Sequence, residues 1–318
     1  MTEGIEATVG IATHMRPEYL DALLERLGEQ TLPADELVVI DDSPNDRPQA
    51  VVADHRKRTF SGMKTDVRYE QISNDGTNQQ DARNRIIETA TGDLLCFLDD
   101  DTVPVEAWLE ETVAAYQSGQ SVVGVGGPAL RTDEHLELVE EIDSDPPARN
   151  QVTEYGEVVD ASGMWVPDRP MYTDILRGAN MAFETDALRE IGGFDNSFGG
   201  PAIFEEWDLM VRISRSCGKI VYHPDVMVYH IEAPTGGSRA EDKSSRPGTY
   251  WYARNSLLFR KKLFADCYYH SLARLFCLGT PSGIDPVWRR LVHLPFRPSE
   301  SHWLRGYADG LIKESPSE

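Results

Sequence analysis

The sequence predicts an α/β fold: a doubly wound, mostly parallel sheet with helices on both faces and a helical C-terminal extension. Three observations predict it. Strand-like runs alternate with helical periodicity through the first half of the chain, as in βαβ units. Two of the runs are continuously apolar, as in strands covered on both faces. Polar clusters follow the first, second and fourth runs, at the strand ends where open α/β sheets bind ligands.

The first strand is expected over 8–12, a β-branched run that stops at Thr13-His14-Met15-Arg16-Pro17. A helix follows over 19–29, with Leu20, Leu23, Leu24 and Leu27 on one face. Leu37-Val38-Val39-Ile40 is the second strand and ends in the turn cluster Asp41-Asp42-Ser43-Pro44-Asn45. A third strand is expected over 67–72, a helix over 79–90, and a fourth strand over 94–98 that ends at Asp99-Asp100-Asp101. Residues 105–117 read as helix and 122–127 as a fifth strand. Residues 131–174 read as a surface excursion and 232–248 as a mobile loop rich in Gly, Ser and Pro.

The 318 residues carry 53 acidic and 31 basic side chains, a net charge of −22 spread along the chain. Such a surface repels nucleic acid, which is excluded as a partner. It is expected of a protein working at high internal salt, where screening removes self-repulsion. Four cysteines without CxxC spacing argue against a zinc site or disulfide framework. No run has the length of a membrane span, and the first residues carry neither a basic segment nor an apolar one. A cytoplasmic protein is expected.

Three groups of residues carry chemistry. Adjacent carboxylates at the end of a buried strand repel one another unless a cation neutralises them, and carboxylate oxygens suit Mg²⁺ or Mn²⁺. Alternation along a strand puts Asp99 and Asp101 on one side and Asp100 on the other. An acid after the second strand, Asp42, can hydrogen-bond a ribose hydroxyl, although the same cluster is also an ordinary turn. Glu205-Glu206-Trp207-Asp208 opens a helix; its acids either complement the helix dipole or supply a general base beside an aromatic ring. His230, after an apolar run, is either structural or a third metal ligand.

Together these pieces resemble the family 2 glycosyltransferases, which have the GT-A fold, over about residues 5–232. The resemblance rests on Gly10-Ile11-Ala12-Thr13, EQTLPADELVVIDDSPND (29–46), DARNRIIETATGDLLCFLDDDTVP (81–104), RGANMAF (177–183) and IGGFDNSFGGPAIFEEWDLMVRI (191–213). It implies an NDP-sugar donor, a UDP-sugar favoured, a divalent cation (Mg or Mn) and inversion at the anomeric carbon. Thr13, Asp42, Arg83 and Asp100 match the donor side. The triplet matches the DxD-type motif, with Asp99, Asp101 and His230 as metal ligands. Glu206 stands at the catalytic base, where the family usually has aspartate, and Glu205 is the alternative. Gly178, Asn180, Trp207 and Asp208 fall on the acceptor side.

The implied organisation is a GT-A domain over 1–232 (donor half 1–127, acceptor half 128–232), the loop 233–249 and an extension over 250–318. The extension is locally basic and aromatic. It reads either as an interfacial helix docking on the cytoplasmic face of a membrane, next to a polyisoprenyl-phosphate-linked glycan, or as core or interface. A nucleotidyltransferase would need glycines around Thr13-His14-Met15-Arg16. A non-catalytic sugar-binding protein would not need three intact acidic sites. The spread charge makes one prediction: thermal stability and activity rise with KCl into the molar range, and a melting temperature highest at low salt would overturn it.

Overall fold

The computed structural model describes residues 4–72, 79–142, 150–159, 164–234, 248–279, 286–293 and 300–312. The expected mobile loop lies largely outside the described residues, as do Asp285 and Arg297. The first half runs β1 (Ala7–Thr13), α1 (Pro17–Gly28), β2 (Glu36–Asp41), α2 (Arg47–Arg58), β3 (Asp66–Gln71), α3 (Gln79–Thr89) and β4 (Leu94–Asp99). Then come β5 (Thr102–Pro104), α4 (Trp108–Tyr116), β6 (Val122–Gly126), β7 (Ala129–Arg131), β8 (Gln151–Val152) and β9 (Val158–Val159). The chain continues with β10 (Met171–Thr173), β11 (Asn180–Glu184), α5 (Thr185–Glu190), α6 (Glu205–Ser216), β12 (Lys219–Tyr222) and β13 (Val228–His230). The extension holds α7 (Gly248–Leu263), α8 (Tyr268–Cys277), α9 (Val287–His293) and α10 (Glu300–Ile312).

Eight strands form one sheet in the order β10-β12-β6-β11-β4-β1-β2-β3. Neighbours from β4 to β3 are parallel, and β11 runs antiparallel between β4 and β6. The apolar runs of β2 and β4 explain their place: each is buried on both faces, and its two faces feed the two core layers. α1 starts at Pro17, where a missing N–H costs nothing, and turns Leu20, Leu23, Leu24 and Leu27 into one layer. α2 escaped the sequence reading because, apart from Val51 and Val52, it shows almost no apolar face.

A second small sheet, β5-β13-β7, lies beyond the end of β4. Its antiparallel pairing sets His230 opposite Thr102, one residue past the acidic triplet. Two distant segments meet there through backbone hydrogen bonding.

α7 is a core element. Leu258 and Phe259 join the same apolar layer as Leu209 and Met210 of α6. Of the basic residues read as facing lipid headgroups, Arg254 and Arg260 are buried. α10 crosses α7 at close range: a Cβ on Gly306 would stand 2.3 Å from the Tyr250 carbonyl oxygen, and one on Gly310 2.8 Å from that of Arg254. Burial therefore removes α7 from the membrane-facing surface expected of the extension.

Candidate active site

The parallel strands deliver the site at their carboxyl ends. β4 stops at Asp99, where the Thr102 hydroxyl donates to the Asp99 carbonyl at 2.8 Å and turns the chain back. Asp99, Asp101 and His230 then present ligand atoms that all lie within 4.8 Å of one another. Asp100 points elsewhere, accepting from Thr13 Oγ1 at 2.7 Å and Arg16 Nη1 at 2.9 Å.

The repulsion expected within the triplet is offset by the protein itself. Arg16 Nη1 also reaches Asp101 Oδ2 at 3.0 Å, and Arg16 Nη2 donates to the Ala233 carbonyl. Arg83 Nη2 donates to Asp99 Oδ1 at 3.1 Å. His230 Nε2 lies 3.2 Å from Asp101 Oδ1, and the Ala233 N–H donates to Asp101 Oδ2 at 2.8 Å. The electrostatics follow. Burial raises Asp101, but His230, Arg16 and the Ala233 N–H together bring it down to about 2. Burial pushes Asp100 up to about 7 against the pull of Arg16 and Thr13. Burial lowers His230, yet Asp101 wins and holds it above its ordinary value.

Arg83 is the second hub. It is fully buried, and its Nη1 donates to Glu205 Oε1 and Glu206 Oε1, each at 2.8 Å. Burial disfavours its charge, but Glu206, Asp99 and Glu205 more than compensate and raise it. The two glutamates differ sharply. The Glu205 side chain is 3% exposed, and burial pushes its carboxyl up to about 8. The Glu206 side chain is 28% exposed and rests on Gly178, where a Cβ would fall 1.7 Å from Oε1. Glycine at 178 is therefore a clearance for Glu206. Phe204, at φ 82°, caps the helix that carries both acids. A left-handed aromatic residue costs of order 1–3 kcal/mol, so the surrounding packing must hold it.

On the donor side, Thr13 is buried and occupied with Asp100. Asp42 is accessible and takes the His14 ring at 2.8 Å. Asp41 is buried and accepts from Tyr69 at 2.7 Å, so the adjacent acids divide into one structural and one outward residue.

Two residues expected on the acceptor side face inward. Asn180 is buried; its amide accepts from Trp108 and donates to the Pro128 and Val226 carbonyls. Asp208 is fully buried between Arg212 at 2.7 Å and Lys262 at 2.8 Å. Both belong to the scaffold, because polar groups this buried need every partner they have. Trp207 stacks edge-on against Phe204 and is half-buried. Sequence reasoning missed Arg16, the cation that bridges Asp100 and Asp101. The signal was its place in the polar cluster that ends β1.

A divalent cation fits the residues present. His230 Nδ1 is buried without a hydrogen-bond partner among the described residues, and Asp101 Oδ1 is buried facing the His230 ring. Arg16 engages the other oxygen of Asp101, and Arg83 a single oxygen of Asp99. Two carboxylates and an imidazole can thus reach a metal without first breaking either arginine contact.

An acidic cluster thus stands at the carboxyl ends of the parallel strands, and Arg83 joins it to a helix-borne pair of glutamates. The domain family described as "Glycosyl transferase family 2" matches residues 8–172, and the chain belongs to that family. It is 32% identical over 97 residues to the amylovoran biosynthesis glycosyltransferase AmsB of Erwinia amylovora, a match covering 30% of this chain and 31% of that one. It is 22% identical over 236 residues to the glucosyl-dolichyl phosphate glucuronosyltransferase of Haloferax volcanii, covering 71% of this chain and 69% of that one. Its fold is similar to that of the mannosyltransferase PcManGT of Pyrobaculum calidifontis, solved with GDP-Man and Mn²⁺. The TM-score is 0.56 at 15% identity, covering 98% of this chain and 88% of that one.

The cation pairs predict the outcome of removing Asp101. Asp101→Ala leaves His230 buried without its acid and Arg16 with Asp100 alone, so stability falls by about 3 kcal/mol in urea unfolding and Mn²⁺ binding by titration is lost. Unchanged stability would show that the pairs contribute nothing. Undiminished Mn²⁺ binding would remove Asp101 from the ligand set.

Proposed function

We propose that this chain is an inverting, metal-dependent glycosyltransferase that moves a sugar from an NDP-sugar, a UDP-sugar favoured, to a hydroxyl of a lipid-linked glycan. The observation that carries the reading is Arg83. One buried guanidinium joins Asp99 of the metal group to Glu206, the accessible acid of the helix pair. Residues 1–127 supply the donor side and 128–232 the acceptor side.

The roles follow from the chemistry of each group. Asp42 offers an outward carboxylate to the ribose of the donor, and Thr13 holds Asp100 in place beside it. A cation held by Asp99, Asp101 and His230 would supply positive charge for the departing diphosphate. Glu206 accepts the proton of the acceptor hydroxyl as its oxygen bonds to the anomeric carbon and the bond to the diphosphate breaks, releasing NDP. The displacement needs one base and no covalent intermediate. Glu205, buried against Arg83, keeps that arginine fixed.

Glu206→Gln therefore lowers kcat by about a hundredfold or more, while donor and Mn²⁺ affinity stay at wild-type values. Equal loss of donor affinity would assign Glu206 to binding. A larger kcat loss in Glu205→Gln would exchange the two neighbours.

A lipid-linked acceptor is supported by the dolichyl-phosphate substrate for which the Haloferax relative is named and by the outer surface of the extension. With α7 buried, that surface belongs to α8, α9 and α10. Tyr269 is 83% exposed, Leu278 65% and Ile312 79%, with Trp288 and Arg289 also outward. Exposed aromatic and aliphatic side chains with a cation beside them suit an anionic lipid interface. Among the described residues no helix is long and apolar enough to cross a membrane. The full-length protein should float with anionic liposomes at molar KCl, and Leu278→Asp with Ile312→Asp should release it. Failure of the wild type to float removes the membrane from the proposal.

A further inference from the structure

The segment that leads into α6 is irregular and heavily restrained. Gly200 (φ 65°), Ala202 (φ 55°) and Phe204 (φ 82°) all adopt left-handed backbone, and Phe204 starts the helix with no side-chain cap. Two of the three are not glycine, so this backbone does not hold itself. Buried side chains hold it instead. Asn255 of α7 is fully buried, and its Nδ2 donates to the Gly199 carbonyl at 3.1 Å and the Ile203 carbonyl at 3.0 Å. Those two carbonyls bracket Gly200 and Ala202, and the second belongs to the peptide that leads into Phe204.

Asn255 is itself fixed. Its Oδ1 accepts from Arg254 Nη1 at 2.8 Å, and the same nitrogen donates to the Ser197 carbonyl at 3.1 Å. The ring of Trp251 lies under Gly200, where a Cβ would come within 2.4 Å. Phe204 packs against Tyr252 and Phe259, with ring centroids 5.0 and 5.5 Å away. Lower on the same helix, Lys262 bonds Asp208 of α6. α7 thus grips the approach to α6, its N-cap residue and its first turn.

We propose that Asn255 is a positioning residue of the transfer reaction, setting the Ile203–Phe204 peptide and through it the Glu206 carboxylate two residues further on. The proposal rests on Glu206 as the base. An amide that donates to two carbonyls is the one short side chain able to tie both ends of such a turn while leaving its oxygen for a neighbouring arginine. Displacing a base by about an ångström is enough to cost up to a hundredfold in rate. The helix carrying Asn255 lies beyond the 8–172 span matched by the family, so the extension completes the site.

The test is a double-mutant cycle on the full-length protein, with kcat corrected for the folded fraction. Asn255→Ala should lower kcat by about tenfold with donor KM unchanged, and should cost nothing further in the residual rate of Glu206→Gln. If Asn255→Ala does not fold, Asn255→Ser keeps one donor in the same space and should show the same pattern with a smaller loss. A lowered melting temperature with wild-type kcat would make Asn255 purely structural and overturn the proposal. An equal loss in the Glu206→Gln background would also overturn it, because Asn255 would then act elsewhere. Full turnover by Glu206→Gln alone refutes the base assignment. A wild-type rate in Asn255→Ala beside an inactive Glu206→Gln refutes only the link between them.

Discussion

Arg83 organises this molecule. A guanidinium without solvent contact is costly to bury, and three carboxylates clustered without a cation are costlier still. Each half of the arrangement is tolerable only because of the other. Arg83 comes from α3, Asp99 from the end of β4, and Glu205 and Glu206 from the first turn of α6. The three elements are far apart in sequence, and the charge requirement fixes their relative position more tightly than apolar packing would. The fork of the guanidinium matters, since a lysine would offer one point charge to three directional acceptors.

The acidic triplet illustrates the same economy of charge. Three neighbouring aspartates look, in sequence, like a group waiting for an external cation. In the folded chain Arg16 and His230 already share Asp101, and Arg83 holds Asp99. The framework therefore stands on its own internal pairs. His230 Nδ1 is the buried atom left over once those pairs are made.

The donor half was legible because its signals are local. The apolar runs of β2 and β4, the leucine face of α1 and the acids at the strand ends each declare themselves within a few residues. The meeting of Asp101 with His230 depends on the pairing of β5 with β13, two three-residue strands whose register no short window can carry. Asn180 and Asp208 were misplaced because an exposed polar residue and a buried, fully partnered one look alike in sequence. The extension stayed open between a lipid-facing helix and core for a related reason. Arg254 and Arg260 among Trp, Tyr and Leu have the pattern of a lipid-facing helix, yet α10 covers α7 and turns those arginines inward.

The crossing of α10 on α7 has an evolutionary consequence. Gly306 and Gly310 bring the two backbones so close that any side chain at either position would push the helices apart. Relative drift between α7 and α10 is therefore forbidden, and α7 holds the approach to α6. The stretch between them is anchored only in part: Ser271 and Arg274 of α8 bond the β8–β9 turn, while Tyr269, Phe276, Trp288 and Leu291 face outward. Changes of surface character can accumulate at those outward positions without disturbing turnover. The tail is thus split into a part bound to the reaction and a part free to diverge, and enzymes with this architecture can change where they work faster than how they work.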